Sequence, residues 1–142
     1  MKKIKLLLFI TLISIVFSCN KDDVTELNPD LITGEWRMEK VTLNGIDGTE
    51  FNDYISQAIL YIGEDESYYR DYISGNWIMS EKTLSLIPLY LDYGERNYEI
   101  LELTEDTLQM KIELTESEYF VDLELFDSSE IITIIETYKR RE

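Results

Sequence analysis

The chain has few of the side chains that usually perform chemistry. Among 142 residues there is one cysteine, Cys19, and no histidine, so Ser–His and Cys–His nucleophilic systems and imidazole zinc sites are closed. What remains are carboxylates, tyrosines, lysines and arginines. The most site-like run is Tyr68-Tyr69-Arg70-Asp71-Tyr72. On a strand, Tyr68, Arg70 and Tyr72 share one face, while Tyr69, Asp71 and Ile73 share the other. An inward Arg70 flanked by Tyr68 and Tyr72 would suit a ligand carboxylate or an aromatic ring. The commoner arrangement puts Arg70 in solvent against surface acids, with Tyr69 and Ile73 in the core, because charged residues are seldom buried. Gly63-Glu64-Asp65-Glu66, Asn44-Gly45 and Asp47-Gly48 read first as turns, without the spacing of a calcium loop, and no metal or cofactor is assigned. The chain is expected to be a binding protein rather than an enzyme.

Cys19 suggests a different chemistry. Lys2, Lys3 and Lys5 precede an apolar run from Leu6 to Phe17, which only Thr11 and Ser14 interrupt. That run has the length of a secretory h-region and is short of the roughly 20 residues a spanning helix needs. Val16-Phe17-Ser18-Cys19 resembles the lipobox of bacterial lipoproteins, with an apolar residue, a small residue and then the cysteine. The resemblance implies cleavage after residue 18 and lipid attachment at Cys19. A lone cysteine cannot close an internal disulfide, which agrees with that use. Asn20-Lys21-Asp22-Asp23 resembles the export signal of surface-displayed outer-membrane lipoproteins, and it equally suits a solvated tether. The expected organisation is a leader at 1–18, a flexible tether at 19–30 and one domain at 31–142.

Removing the leader leaves 10 basic against 29 acidic residues, a formal charge of −19. A surface of that sign repels nucleic acid, and keeps a domain soluble beside a membrane.

The elements that must position these groups read as short antiparallel strands. Leu108, Met110, Ile112 and Leu114 alternate with polar residues, the mark of a half-buried strand. Asn97 to Leu103 is its partner across Thr104-Glu105-Asp106. Ser67 to Ser74 is a strand, and Gly75 to Ser80 pairs with Thr83 to Leu91 across Ser80-Glu81-Lys82, with Pro88 marking a bulge or edge. Tyr119 to Leu125 alternates, and Ile131 to Tyr138 is rich in β-branched residues and closes the domain. Residues 51–56 suggest a short helical turn, followed by a strand to Ile62. In the first strand, Trp36 and Met38 are apolar at even positions, whereas Val41 and Leu43 are apolar at odd ones. That slip predicts a bulge near Glu39–Lys40, of the kind small barrels need to close. The count is eight or nine strands: an all-β fold, either sandwich or barrel.

The order of features resembles the lipocalin-like lipoproteins of Bacteroidota. Leu31-Ile32-Thr33-Gly34-Glu35-Trp36 is similar to their glycine–any–tryptophan opening. Gly75-Asn76-Trp77-Ile78 leading to Thr83-Leu84-Ser85-Leu86 is similar to the mid-domain hairpin, and Tyr98 to Thr104 followed by Thr107-Leu108 to the next one. The resemblance implies an antiparallel up-and-down barrel of eight or nine strands. It also implies a structural plug, with Trp36 at the closed end beneath Lys139 or Arg140. The functional expectation is a membrane-anchored outer-membrane module holding a small apolar or amphipathic ligand. The alternative is an interaction or inhibitor domain with a solid core. An apolar cavity above roughly 300 Å³ separates the two.

Overall fold

The computed structural model describes residues 27–49, 57–90, 92–119 and 124–142. The expected leader at 1–18, Cys19 and the helical turn expected at 51–56 lie outside the described residues. So does the middle of the strand expected at Tyr119 to Leu125.

Nine strands follow one another: β1 (Gly34–Leu43), β2 (Ile46–Asp47), β3 (Ile59–Ile62), β4 (Ser67–Arg70), β5 (Ile73–Ser80), β6 (Thr83–Pro88), β7 (Arg96–Leu103), β8 (Thr107–Thr115) and β9 (Ile131–Arg140). Neighbours in sequence pair antiparallel from β3 to β9, and β1 pairs with both β3 and β9. This closes an eight-stranded up-and-down barrel, with β2 as a short hairpin extension of β1. Closure leaves no long unpaired edge, which suits an isolated all-β domain.

Local sequence explains most of the path. Asn44 and Gly45 both have positive φ, the geometry of a two-residue hairpin turn that joins β1 to β2. The register of β1 against β9 slips between Met38 and Lys40, so the change of apolar phase is a β-bulge. A second slip between Ile100 and Glu102 lets Tyr98, Ile100 and Leu103 all point inward on β7. On β9 the buried residues are Ile132, Ile134, Glu136 and Tyr138, a strict period of two with a carboxylate in the apolar phase.

Two expectations are corrected. The run Ser67 to Ser74 is not one strand: Asp71 adopts a left-handed φ of 54°, and the chain reverses there between β4 and β5. Asp tolerates that conformation because its short polar side chain can satisfy the local backbone. Tyr119 lies in a 3-10 turn, Ser117–Tyr119, and Glu124 and Leu125 are not in a strand. Glu116 is buried there and accepts the backbone N–H of Phe126 at 3.0 Å, which holds the β8–β9 connection against the barrel.

The two ends of the barrel differ. At one end the turns are tight, at 63–66, 81–82 and 104–106, and the chain enters through a 3-10 turn at Pro29–Leu31. Leu27 and Leu31 pack against the core, so the last residues of the expected tether belong to this lid. The β2–β3, β4–β5, β6–β7 and β8–β9 connections all leave from the opposite end.

Candidate functional site

The closed end is built around Trp36. The indole Nε1 donates to the Ile32 carbonyl at 2.8 Å, and the Arg140 guanidinium carbon stands 4.1 Å from the ring centroid. Arg140 also donates to the carbonyls of Thr33 at 2.8 Å, Leu31 at 2.5 Å and Glu105 at 2.5 Å. One side chain therefore ties the entering chain, β9 and the β7–β8 turn over one aromatic face. Gly34 makes room for it, since a Cβ there would collide with the guanidinium. Lys139 points away, and its ammonium donates to Thr107 Oγ1 at 2.9 Å on the surface.

The open half of the barrel holds a cavity of about 610 Å³. Its described walls include Met38 on β1, Tyr68 and Arg70 on β4, Ile73 on β5, Leu86 on β6, and Arg96 and Tyr98 on β7. Tyr93 and Tyr119 reach it from the loops.

Arg70 turns inward together with Tyr68, which overturns the expectation that Arg70 faces solvent. Tyr69 is instead 47% exposed. The reason lies across the barrel, at Glu136. Arg70 Nη2 donates to Glu136 Oε1 at 2.7 Å and Nη1 to Oε2 at 3.1 Å, a bidentate pair spanning from β4 to β9. Tyr119 donates to Oε1 at 2.6 Å and Tyr138 to Oε2 at 2.8 Å, while Tyr98 accepts from Arg70 Nη1 at 2.7 Å. The Arg70 guanidinium also lies 5.9 Å from the Tyr119 ring centroid. Glu136 has no exposed surface, and the side chain of Arg70 retains 13%.

Burying two charges is tolerable only when each is paired and its other polar positions are filled. Here each oxygen of Glu136 accepts two hydrogen bonds. Burial works against the charged form of Arg70, but Glu136 and the surrounding tyrosines outweigh it and hold the guanidinium firmly protonated. Burial pushes the phenols of Tyr119 and Tyr138 well above their ordinary value, with Glu136 adding to the shift and Arg70 opposing it. Tyr98 and Tyr68 are raised for the same first reason, burial. Burial also raises the Asp71 carboxyl, against the pull of Arg70. These groups therefore form a polar floor of neutral phenols around a charged pair.

Of the residues singled out in sequence, the structure brings Tyr68 and Arg70 together on the cavity wall. Tyr72 also lines the cavity, but at its mouth rather than beside the guanidinium. It sits beyond the Asp71 turn, 88% exposed at the rim. Glu136, Tyr98 and Tyr119 were not anticipated. The period-two burial of Ile132, Ile134, Glu136 and Tyr138 was the available signal for Glu136, because a carboxylate in the apolar phase demands a cation. Asp65, in the acidic turn, accepts from the Ser67 hydroxyl at 2.5 Å and its backbone N–H at 3.2 Å, which is turn chemistry. Among the described residues, no cluster of three His, Cys, Asp or Glu side chains could hold a metal ion.

No protein-family model matches the chain, and no curated protein matches it. The architecture is that of a small closed antiparallel β-barrel consistent with a lipocalin-like fold.

Proposed function

We propose that the chain is a membrane-anchored, lipocalin-like lipoprotein of the outer membrane whose barrel holds a small apolar or amphipathic molecule. The observation that carries this reading is the cavity of about 610 Å³, which lies in the range of small-molecule sites. Met38, Leu86, Ile73 and the ring of Tyr68 supply apolar wall, and Arg70 supplies a polar floor. Glu136 uses both oxygens in holding Arg70, Tyr119 and Tyr138, which favours binding over carboxylate catalysis. Lipid attachment at Cys19 rests on the leader and on the single cysteine. The chain enters the barrel at the plugged end, which leaves the mouth at the end farther from that entry.

Native mass spectrometry of the full chain, released gently from detergent, tests the binding reading. A recurrent added mass of small-molecule size supports it. Repeated recovery of the empty mass, with no uptake of an apolar fluorescent probe, would overturn it. The anchor is tested separately: Cys19→Ala should release the chain from membranes, and a variant that stayed fully bound would contradict lipidation.

A second reading has one observation in its favour. Tyr72 is 88% exposed, Leu89 66% and Tyr90 63%, on neighbouring loops at the mouth that the Leu89 N–H to Ser74 carbonyl bond draws together. Exposed aromatic groups at a rim suit a protein partner. In that case Leu89→Ser with Tyr90→Ser, both outside the cavity lining, would abolish partner capture while leaving probe uptake intact.

A further inference from the structure

The polar floor narrows the class of ligand, an inference that rests on reading the barrel as a small-molecule binder. A carboxylate entering this cavity would seek the guanidinium of Arg70. Glu136 already occupies that position, holding both Nη atoms at 2.7 and 3.1 Å, with Tyr119 and Tyr138 on its own oxygens. To displace it would strand a fully buried carboxylate, at a cost no single new ion pair returns.

What the floor still offers is one edge of Arg70. Every buried side-chain nitrogen and oxygen among the described residues has a hydrogen-bond partner, and Nε of Arg70 makes none, so Nε keeps accessible surface on a residue that lines the cavity. Beside it, at 3.8 Å, stands the Asp71 carboxylate. An anion docked on Nε would therefore have Asp71 on one side and Glu136 behind. The other cation on the described wall is Arg96. Asp71 and Glu136 face Arg70, and the Glu118 carboxylate lies within reach of Arg96, in a chain whose formal charge is −16. Nearby acids therefore offset both cations, and the long-range field repels anions. The rings of Tyr68, Tyr93 and Tyr119 line the remaining space.

We infer that the cavity takes an uncharged, ring-bearing amphiphile that presents a hydrogen-bond acceptor to Arg70, and discriminates against anions of the same size. Equilibrium dialysis of the purified full chain tests this with 2-naphthol and 2-naphthoate at neutral pH, both chambers holding the same non-ionic detergent. 2-Naphthol should bind at least about tenfold more tightly than 2-naphthoate. Asp71→Asn, at a half-exposed position, should raise naphthoate affinity by about threefold or more and leave naphthol within about twofold. Equal affinity for the two probes in the unmodified chain overturns the inference and leaves the binding reading standing. An unchanged naphthoate affinity in Asp71→Asn also overturns it, because the preference would then reflect hydrophobicity alone. Saturation by neither probe up to about 1 mM removes the binding reading itself.

Discussion

The Arg70–Glu136 pair predicts a large and strongly non-additive response to mutation. Glu136→Gln keeps the side-chain volume and removes the charge. Glutamine offers one carbonyl oxygen to four donors, from Arg70, Tyr119 and Tyr138, and turns its amide N–H groups toward the rest. The guanidinium is left buried beside uncharged groups, and the expected loss is roughly 3–5 kcal/mol. Arg70→Met leaves the carboxylate with only two tyrosine hydroxyls, for a similar loss of roughly 3–5 kcal/mol. Arg70→Met with Glu136→Met removes both charges together. Its remaining cost is two phenols without an acceptor, about 1–3 kcal/mol each. Glu136→Met leaves the guanidinium without any acceptor and should lose at least as much as Glu136→Gln, so Arg70→Met and Glu136→Met singly sum to about 8 kcal/mol against about 4 for the double, and that cycle should report a coupling near 4 kcal/mol. Urea unfolding followed by tryptophan fluorescence reads this directly, because Trp36 is fully buried and Trp77 packs against the core. With a slope of about 2 kcal/mol per molar, each single variant should lower the midpoint by roughly 1.5–2.5 M. Single variants that lose under about 1 kcal/mol, or a double variant that loses their sum, would refute the account of a closed, buried pair.

Other consequences follow from the same geometry. Arg140→Ala removes a ring contact and three carbonyl partners and should cost roughly 2–4 kcal/mol, with a red shift of Trp36 emission. Lys139→Ala should stay within about 0.5 kcal/mol, and the reverse ranking in thermal melts would show that the plug is misassigned. Gly75→Ala drives a Cβ into the Ile87 carbonyl and the Tyr68 ring, and overpacking of that kind should cost roughly 1–3 kcal/mol by denaturant titration. Alkaline titration should divide the 10 tyrosines into two classes. Burial raises Tyr98, Tyr119 and Tyr138 above the ordinary phenol value, so the stability they contribute is complete below about pH 10 and is lost as pH rises toward their folded-state values. Phenolate absorbance from these three should emerge only with unfolding; smooth titration of all ten in the folded chain would contradict their burial.

Much of the fold was legible because it is written in local signals. The period of two on β8, the turn residues Asn44-Gly45 and the phase slip after Met38 each constrain only a few neighbouring residues. Where the reading failed, the local signal was ambiguous. Ser67 to Ser74 has no glycine or proline to announce a reversal, and only Asp71 in a left-handed conformation makes the turn. Tyr119, Val121, Leu123 and Leu125 alternate as a strand would, yet the chain enters a 3-10 turn at Ser117–Tyr119, with Glu116 holding the loop. The backbone N–H groups of Tyr119, Leu125 and Phe126 all turn to Glu116 rather than to a strand, and alternation says nothing about whether a neighbouring strand exists to pair with.

By itself, the sequence determined an all-β chain with an excess of acidic residues, no histidine, a single cysteine after an apolar N-terminal run, and an indole at the start of the first strand. Those properties depend on composition and on residues a few positions apart. Only the tertiary structure decided which face of Tyr68 to Tyr72 points inward. Both faces carry one charge beside bulky groups, so periodicity cannot choose between them. The choice is made by Glu136, 66 residues away in the chain, whose buried carboxylate on β9 requires a cation across the barrel. Arg70 answers that requirement, and the floor of the cavity exists only where barrel closure brings the two together.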